Sequence, residues 1–478
     1  MPHRTHDTTT SELVQAAPCP ADDWTREVVT RLPDTMHHQA RKLKAFERSR
    51  QIRSATDLLR GLLAYVYTAH SFQHLSMWSV LLGVADVSAN DWRKRLQGAS
   101  AWLSWLLQEV LAASSAVSPW LVRGGWQRIL LIDGTHLSCP GPLGMVWRVH
   151  TAFDLLAGRL TQLKVTDRQV GEQLEVFELQ AGDLVVTDRA NGLRARIGFV
   201  LSKAADVVVR FTPHNLPLEE ADGKGIPVVK WLKGRHAPAG RICSRPVWIS
   251  YQGQRIALRW IALRLSQQQR EAAERRKRRK ACQHQQQLQT DTLYLAGWVL
   301  VVTTLPAEQW TDQQVLCLYQ ARWHIELVFK RIKQLLGQHR LRCTTAATAQ
   351  PTLTALLLGW ALLEEESSAI RLAMRDAMYC TQQAVQEGQM QQAAQACWWQ
   401  EGRDGPLSEW MLAQVSVDLF CQQIRGSYTA TRYRACLPRL QRFLGMGHRK
   451  RPHLYSQVCC WLGMPTTDLG KRGGCHDQ

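Results

Sequence analysis

The spacing of apolar residues changes character twice along this chain. Residues 26–112 repeat apolar side chains at helical intervals, whereas residues 128–303 contain short, uninterrupted apolar runs of the length of buried strands. After residue 345 the helical spacing returns. The pattern predicts an α/β protein in which a strand-rich region is flanked by helical N- and C-terminal regions.

The strand-rich region contains two runs that are apolar on both faces. RILLID at 128–133 and DLVVTD at 183–188 lack the alternation of a half-exposed strand, which predicts two central strands of a sheet that is covered on both sides. Two further strands are expected on either side of a turn at Ala157 and Gly158. Five more are predicted between residues 200 and 300, in the segments DVVVRFT, IPVVKWL, PVWISYQ, RIALRWIALRL and WVLVVTT.

A cationic, glutamine-rich segment, SQQQREAAERRKRRKACQHQQQLQ at 266–289, interrupts this β-rich region. Its composition is compatible with a helix or with a mobile loop. Two functional interpretations stay open at this point: a solvated excursion, or an arm that follows the phosphate backbone of a nucleic acid.

The N-terminal helical region contains a basic helix that follows another helix after a short turn. Gly83 is suited to the turn, and Ser88 is suited to cap a helix that carries Arg93 and Lys94. Helix, turn and basic helix together suggest a helix-turn-helix-like DNA-binding module, with Arg93 and Lys94 on DNA. A plain helical bundle is the alternative.

Charge and composition indicate the kind of partner and the cellular compartment. The sequence has 59 Lys and Arg against 40 Asp and Glu, a formal net charge of +19, which favours a polyanionic partner and nucleic acid above all. The 13 cysteines include no C-x2-C pair, which favours reduced thiols in the cytoplasm. We find neither an N-terminal signal segment nor an apolar run of about 18 residues, and therefore expect no membrane span.

The two central strands each end in an aspartate, Asp133 and Asp188. If the strands are parallel neighbours, their carboxyl ends converge at one edge of the sheet, where a helix over residues 313–336 could place Glu326. Three carboxylates at one place favour Mg²⁺ or Mn²⁺, and a pair of ions about 4 Å apart would support phosphoryl transfer. Other acids near strand ends are alternatives: Asp154, Asp167 and Asp183.

The helix proposed to carry Glu326 has a second chemical feature. In YQARWHIELVFKRIKQLLG at 319–337, helical spacing puts Tyr319, Arg322, Glu326 and Lys333 on one stripe beside an apolar stripe. A carboxylate among an aromatic ring and two cations suits a metal-binding acid that is flanked by phosphate-binding groups.

These residues resemble the signature of the IS4-family DDE transposases of bacterial insertion sequences. The similarity includes Y-x2-R-x3-E-x6-K and the order of a strand aspartate, a second strand aspartate and a helix glutamate; it extends over roughly residues 60–345. It implies an RNase H-like mixed sheet, with a β-rich insertion between Asp188 and Glu326. It also implies that Asp133, Asp188 and Glu326 are the catalytic residues and hold two Mg²⁺ ions, or Mn²⁺. The RAN that follows Asp188 departs from the family, in which a glycine and an aromatic are common.

The resemblance also implies DNA contacts. Tyr319, Arg322 and Lys333 match residues that contact the transposon end. Trp298 matches a tryptophan that stacks on a flipped base in members that cut through a hairpin, although a core tryptophan at a strand start is an equal alternative. Arg210 resembles a basic residue after the fifth core strand and is a further candidate for a phosphate contact.

The implied function is cut-and-paste transposition by hydrolysis and transesterification at transposon ends, through a hairpin intermediate. The implied partners are double-stranded DNA, as terminal inverted repeats and target, and a second copy of the chain in a homodimer; the implied location is the bacterial cytoplasm, at the nucleoid. Two alternatives are a metal-dependent nuclease that does not join strands and a non-catalytic DNA-binding protein. The expected domains are a disordered N-terminus at 1–25, a helical DNA-binding domain at 26–120, a catalytic core at 121–345 with its insertion at about 200–300, and a helical region for dimerisation and DNA contact at 346–478.

Overall fold

The computed structural model describes most of the chain. The described residues are 23–68, 71–113, 125–138, 146–167, 169–335, 343, 345–386 and 408–426. The strands are β1 (Arg128–Ser138), β2 (Val146–Asp154), β3 (Arg159–Asp167), β4 (Asp183–Thr187), β5 (Asp206–Arg210), β6 (Ile242–Tyr251), β7 (Gln254–Arg264) and β8 (Trp298–Thr303). The helices are α1 (Met36–Lys42), α2 (Ala55–Tyr67), α3 (Phe72–Leu81), α4 (Ala89–Gly98), α5 (Ser100–Ala113), α6 (Arg194–Ser202), α7 (Val228–Lys233), α8 (Gln267–Gln283), α9 (Thr290–Ala296), α10 (Asp312–Ala321), α11 (Trp323–Leu335), α12 (Ala346–Gln386) and α13 (Glu409–Arg425).

All eight strands form one mixed sheet in the order β3-β2-β1-β4-β5-β8-β7-β6. β1, β4 and β5 are parallel to one another, and β2 is antiparallel to both β1 and β3. The insertion between β5 and α10 supplies β6, β7 and β8, which continue the sheet beyond β5 through antiparallel pairs. The predicted α/β class, with a mixed sheet, a β-rich insertion and helical flanks, is confirmed.

Both faces of the central strands are covered, as their uninterrupted apolar sequences predict. In β1, Ile129 and Leu131 belong to the core shared with the N- and C-terminal helices, whereas Leu130 and Ile132 face a second core shared with the insertion. The alternation follows from the two-residue repeat of a strand. The two faces therefore separate the sequence into two packing layers.

One predicted strand of the insertion is wrong. Residues 226–232, IPVVKWL, contain the helix α7 instead of a strand. The buried residues Val228 and Leu232 are four apart, which is the spacing of one helix face, and Pro227 precedes the first helical residue, where its fixed φ suits a helix start. The segment 266–289, left open as helix or loop, contains helix α8, which begins with a capping box of Ser266 and Gln269.

The helices at the two ends of the chain pack on each other. The Arg60 guanidinium donates to the Ile424 carbonyl at 2.8 Å, and the Tyr67 hydroxyl donates to the Leu356 carbonyl at 2.6 Å. Residues of α2, α5 and α12 share one core with the sheet face of β1. The predicted domain boundaries stay predictions. Most of the N-terminus predicted to be disordered, and the part of the predicted C-terminal region after residue 426, lie outside the described residues.

The predicted helix-turn-helix segment consists of α3, a turn and α4. Gly83 has a left-handed φ of +63° in the turn, and the Ser88 hydroxyl accepts the Asp91 N–H at the start of α4. Arg93 and Lys94 are exposed on α4, while Trp92 is buried against Gly61. The helix therefore has a basic exposed face, and its contact with DNA stays a prediction.

The sequence contains one apolar stretch of membrane-spanning length that we did not predict. Residues Ala346–Glu365 of α12 are long and apolar enough to cross a membrane by composition, but most of the stretch is buried inside the protein. This burial is typical of a central core helix, and α12 packs against α5, α2 and β3 in that position.

Candidate active site

The two aspartates predicted at strand ends lie side by side, although only Asp188 follows the end of its strand. β1 continues to Ser138 in its pairing with β2, so Asp133 lies within β1. β1 and β4 are parallel, and Ile132 pairs with Thr187, so the next residues, Asp133 and Asp188, are neighbours at the same edge of the sheet. Strand alternation points both side chains to the face of β1 that carries Ile129 and Leu131, which is the face that α11 covers. The structure thus brings together the pair that the sequence placed at converging strand ends.

Asp133 is a largely buried carboxylate with a raised pKa. Its Oδ1 accepts the Gly134 N–H at 2.8 Å, and only 14% of its side chain is exposed. Burial raises the pKa of Asp133 to about 6; Arg322 and the Gly134 N–H oppose the rise, while Asp188 and Glu326 add to it. Asp188 and Glu326 therefore both act electrostatically on Asp133.

Asp188 combines its position at the site with a capping role. Its Oδ1 accepts the Ala190 N–H at 2.8 Å and so caps a 3₁₀ turn, Arg189–Asn191. Asn191 is buried and donates to the Thr187 hydroxyl at 2.8 Å. The RAN sequence that departs from the family thus forms a tight turn held to the end of β4.

The predicted single helix around Glu326 is in fact two helices. α10 ends at Ala321 and α11 begins at Trp323, with a tight turn at Arg322. The Arg322 N–H bonds to the Tyr319 carbonyl and the Ile325 N–H to the Arg322 carbonyl, both three residues apart instead of four. The apolar stripe was predicted correctly where its side chains are described: Ile325, Val328, Phe329 and Ile332 are buried.

Arg322 connects two of the acids. Its Nη1 donates to Asp133 Oδ2 at 2.5 Å and its Nη2 donates to Glu326 Oε1 at 2.7 Å. The side chains of Arg322 and Asp133 are 15% and 14% exposed, whereas that of Glu326 is 45% exposed. One guanidinium therefore holds a strand carboxylate and a helix carboxylate from two sides, which places Glu326 at the edge that the sequence predicted.

The second cation of the motif contacts the same strand. Lys333 Nζ donates to the Thr135 hydroxyl at 2.6 Å, two residues beyond Asp133 on the same face of β1. Burial lowers the pKa of Lys333. Tyr319 is partly buried against the core, with the Arg322 guanidinium carbon 5.9 Å from its ring centre. Tyr319, Arg322 and Lys333 thus line one flank of the acids.

The chemistry of these donors fits a hard divalent cation. Asp133, Asp188 and Glu326 offer carboxylate oxygens from two strand ends and a helix, and such oxygens are the ligands that Mg²⁺ and Mn²⁺ prefer. Within the described ranges, no group of three or more His, Cys, Asp or Glu is close enough to hold a metal as it stands. Asp133 and Glu326 are instead bonded to Arg322, which supplies positive charge between them.

Two other predicted DNA contacts have different surroundings. Arg210 ends β5 next to Asp188, because Val209 pairs with Thr187 one residue earlier. Trp298 is only 2% exposed and lies under the Arg264 guanidinium, 5.0 Å from its ring centre. This is the core position that the sequence left open, and the ring would have to be uncovered before it could stack on a base.

The alternative acids lie elsewhere or have local partners. Asp183 begins β4 and Asp154 ends β2 next to the start of β1, both at the opposite end of the sheet from Asp133. Asp167 ends β3, two strands away from β1, and caps the following turn by accepting the Gln169 N–H. Their positions leave Asp133 and Asp188 as the acids at the central edge.

Sequence reasoning missed one aromatic side chain beside the acids. Trp323 begins α11, directly after Arg322, and is 51% exposed, unlike most of the described tryptophans. Its position within an apolar-looking helix concealed this exposure. An exposed ring one residue from Arg322 offers a surface on which a nucleobase can stack.

The chain also matches known sequences over this region. A sequence model of the family described as the transposase DDE domain matches residues 125–362, a range that includes all three acids. The chain is 31% identical over 339 residues to the protein named as transposase InsL for insertion sequence element IS186A of Escherichia coli K12; the match covers 70% of this chain and 90% of that protein. Over 340 residues it is 31% identical to the transposase for insertion sequence element IS421 of Escherichia coli, with the same coverage of both chains.

Proposed function

Because the chain belongs to the IS4-type DDE transposases of bacterial insertion sequences, we propose that it performs cut-and-paste transposition on double-stranded DNA. The observation that carries the proposal is the meeting of Asp133, Asp188 and Glu326 at one edge of the sheet, around Arg322. Three carboxylates come together there and only Asp133 and Glu326 are ion-paired, both to Arg322, which leaves oxygen ligands of the kind that divalent-cation chemistry requires.

In the proposed reaction, a water oxygen attacks phosphorus at the end of the element. The bond from phosphorus to the 3′ oxygen breaks, which leaves a 3′-OH and a 5′ phosphate. The 3′-OH then loses its proton and attacks phosphorus of the opposite strand; a new phosphodiester closes a hairpin as the bond to the flanking 3′ oxygen breaks. A second water opens the hairpin, and the regenerated 3′-OH attacks target DNA in the same way.

Asp133, Asp188 and Glu326 would hold two Mg²⁺ or Mn²⁺ ions, which when bound activate the attacking oxygen and stabilise the departing one. Arg322 bonds the same oxygens of Asp133 and Glu326 that would hold the ions, so it would have to give up these bonds when they bind. Its planar fork would then suit a DNA phosphate. Arg322 thus holds the acids in place before DNA and cations bind, and it holds the substrate afterwards.

The DNA contacts are assigned to the flanks of the acids. Tyr319, Arg322 and Lys333 would bind phosphates of the transposon end, and Arg210 a phosphate on the side of β5. The exposed Arg93 and Lys94 of α4 would contact DNA farther along the terminal repeat. These cations bind DNA largely without regard to sequence.

Transposition needs two element ends in one complex, so we propose a homodimer as the active form. The C-terminal helical region is assigned to the contact between copies and to DNA. The expected location is the bacterial cytoplasm, with the protein on the nucleoid.

A strand-transfer assay with a pre-cleaved end tests the proposal. The purified protein, Mg²⁺ and a duplex that ends in the element's terminal repeat with a free 3′-OH should yield joined product with a target plasmid. Cleavage of an uncut end without any joined product would instead indicate a nuclease. Undiminished cleavage in a strong chelator would contradict the proposed metal dependence.

A substitution distinguishes the enzyme from a protein that only binds DNA. Asp188→Ala should abolish cleavage and joining while DNA binding persists. If transposition in cells continued unchanged with Asp188→Ala, the non-catalytic interpretation would replace ours.

A further inference from the structure

The insertion helix α8 docks with a lysine on its packed face. Ala273, Lys277 and Ala281 follow one another at four-residue intervals; Ala281 is buried and the other two are partly buried. The neighbouring cations of the RRKRR stretch, such as Arg278 and Arg279, are exposed. Most of the basic charge on α8 is thus directed to solvent, but Lys277 is directed back toward the protein.

Lys277 meets two more cations there. It lies close enough to Arg189 and Arg210 for their charges to act on it. Burial lowers the pKa of Lys277, and Arg189, Lys280 and Arg210 lower it further. Within the described ranges, none of Lys277, Arg189 and Arg210 has an acidic side chain within ion-pair distance. Asp188 is the neighbouring acid, but it makes no ion pair with them among the described contacts. Three like charges at one place repel one another and favour the binding of an anion between them.

The three cations border the edge of the sheet where Asp133, Asp188 and Glu326 lie, which we call the acidic edge. Arg189 follows Asp188 directly, and Arg210 lies beside Asp188 in the register of β4 and β5. Lys333 lies on the other flank, where it bonds to Thr135 of β1. Cations therefore stand on both sides of the acids along the strand order β1-β4-β5.

We propose that Lys277, Arg189 and Arg210 form a binding site for backbone phosphates of DNA, on the β5 side of the acidic edge. The inference rests on the proposed function and adds the path of the substrate: the DNA strand crosses the strand ends from β1 to β5, held by Lys333 on one side and by this cluster on the other. The insertion thereby contributes to the active site through α8 as well as through its strands. Lys277 is the residue that links the insertion to the core site.

Salt-dependent binding tests the role of Lys277 against a matched control on the same helix. The experiment uses the full chain and a duplex with the element's terminal repeat. Lys277→Gln should weaken binding about tenfold at about 0.1 M salt and lower the slope of log K against log salt by about 0.9, the values for one lost phosphate contact. Arg279→Gln removes the same charge from the opposite side of α8 and should change affinity less than about twofold.

A phosphate scan identifies the contact itself. Neutral methylphosphonates are placed singly along the strand near the cleavage point. At least one should weaken binding by the wild-type chain but have no further effect on Lys277→Gln, because the contact is already absent. Arg189→Gln should share the same insensitive position, and it replaces Lys277→Gln if that variant unfolds.

Equal losses for Lys277→Gln and Arg279→Gln would overturn the site, since general charge would then explain both. So would a scan in which every methylphosphonate affects wild type and variant alike. In either case a wild-type chain that still cleaves and joins DNA leaves the proposed function intact. Failure of the wild-type chain to cleave any end would instead refute the proposed function.

Discussion

The two ends of the central sheet both carry acids, which are buried at one end and partly exposed at the other and which have different bonding partners. At the end where β4 begins, Arg128 makes a two-pronged contact to Asp183, with Nε at 2.8 Å from Oδ1 and Nη2 at 2.6 Å from Oδ2. The Gln180 N–H adds a third bond to this carboxylate. Asp154, at the same end, accepts the N–H groups of Ile129 and Leu156.

At the other end, one guanidinium serves two acids. Arg322 divides its two Nη groups between Asp133 and Glu326, and Asp188 adds its charge without an ion pair among the described contacts. The first end satisfies each carboxylate locally and stabilises the fold. At the second end Asp188 has no ion pair among the described contacts, and this difference is what the proposed catalytic role of these acids would explain.

The largest expected effect separates chemistry from stability. Asp188→Asn should lower DNA cleavage about a thousandfold or more, because one carboxylate of the proposed metal site would be lost. Stability should change by less than about 0.5 kcal/mol, since asparagine caps a turn about as well as aspartate and can accept the Ala190 N–H. Single-turnover cleavage and urea unfolding measure the two. A variant that lost stability and activity in parallel would make Asp188 a structural residue.

The matching substitution at the other end should have the opposite result. Asp183→Asn leaves Arg128 without its charged partner in a buried contact, which costs about 3–5 kcal/mol of unfolding free energy. The fraction that remains folded should cleave DNA at the wild-type rate per molecule. Urea unfolding gives the first quantity, and cleavage normalised to folded protein gives the second. A small stability loss would weaken the contrast between the two ends.

The pH dependence of stability sharpens the comparison further. The pKa of Asp133 is about 6 in the folded chain and near 3.8 when unfolded, so the folded state binds the extra proton between these values. In chelator, the unfolding free energy should therefore fall by about 3 kcal/mol as pH rises from about 3 to about 7, with about 2 kcal/mol of the fall between pH 4 and pH 6. Asp133→Asn should lack this fall, whatever its absolute stability. Parallel curves for both proteins would show that Asp133 titrates normally.

The smallest expected effect reports on cations at the acidic edge. A divalent ion at ten times its dissociation constant should add about 1.4 kcal/mol to the unfolding free energy of the wild-type chain. Glu326→Gln should respond much less to Mg²⁺ or Mn²⁺, whereas Asp183→Asn should gain as much as wild type. Equal stabilisation of all three would place the ions elsewhere.

The sequence predicted the parts of the site that follow from local pattern. Uninterrupted apolar runs identified β1 and β4. Asp188 follows the end of β4 as predicted, but β1 continues to Ser138, so Asp133 lies within its strand and not at the end. The apolar stripe of α11 followed from helical spacing. Where two local patterns competed, the prediction was wrong: the β-branched pair in IPVVKWL suggested a strand, but Pro227 and the four-residue spacing of Val228 and Leu232 form a helix.

Contacts between distant segments could not be predicted in this way. The bond of Arg322 to Asp133 joins residues 189 positions apart, and the approach of Lys277 to Arg189 and Arg210 depends on how the insertion folds back. Burial of Trp298 under Arg264 is of the same kind. The order of strands, helices and acidic residues follows from short-range periodicity, which the sequence alone determines. Which charges share one site, and which are left without a partner, depends on packing between remote segments, and only the tertiary structure decided it.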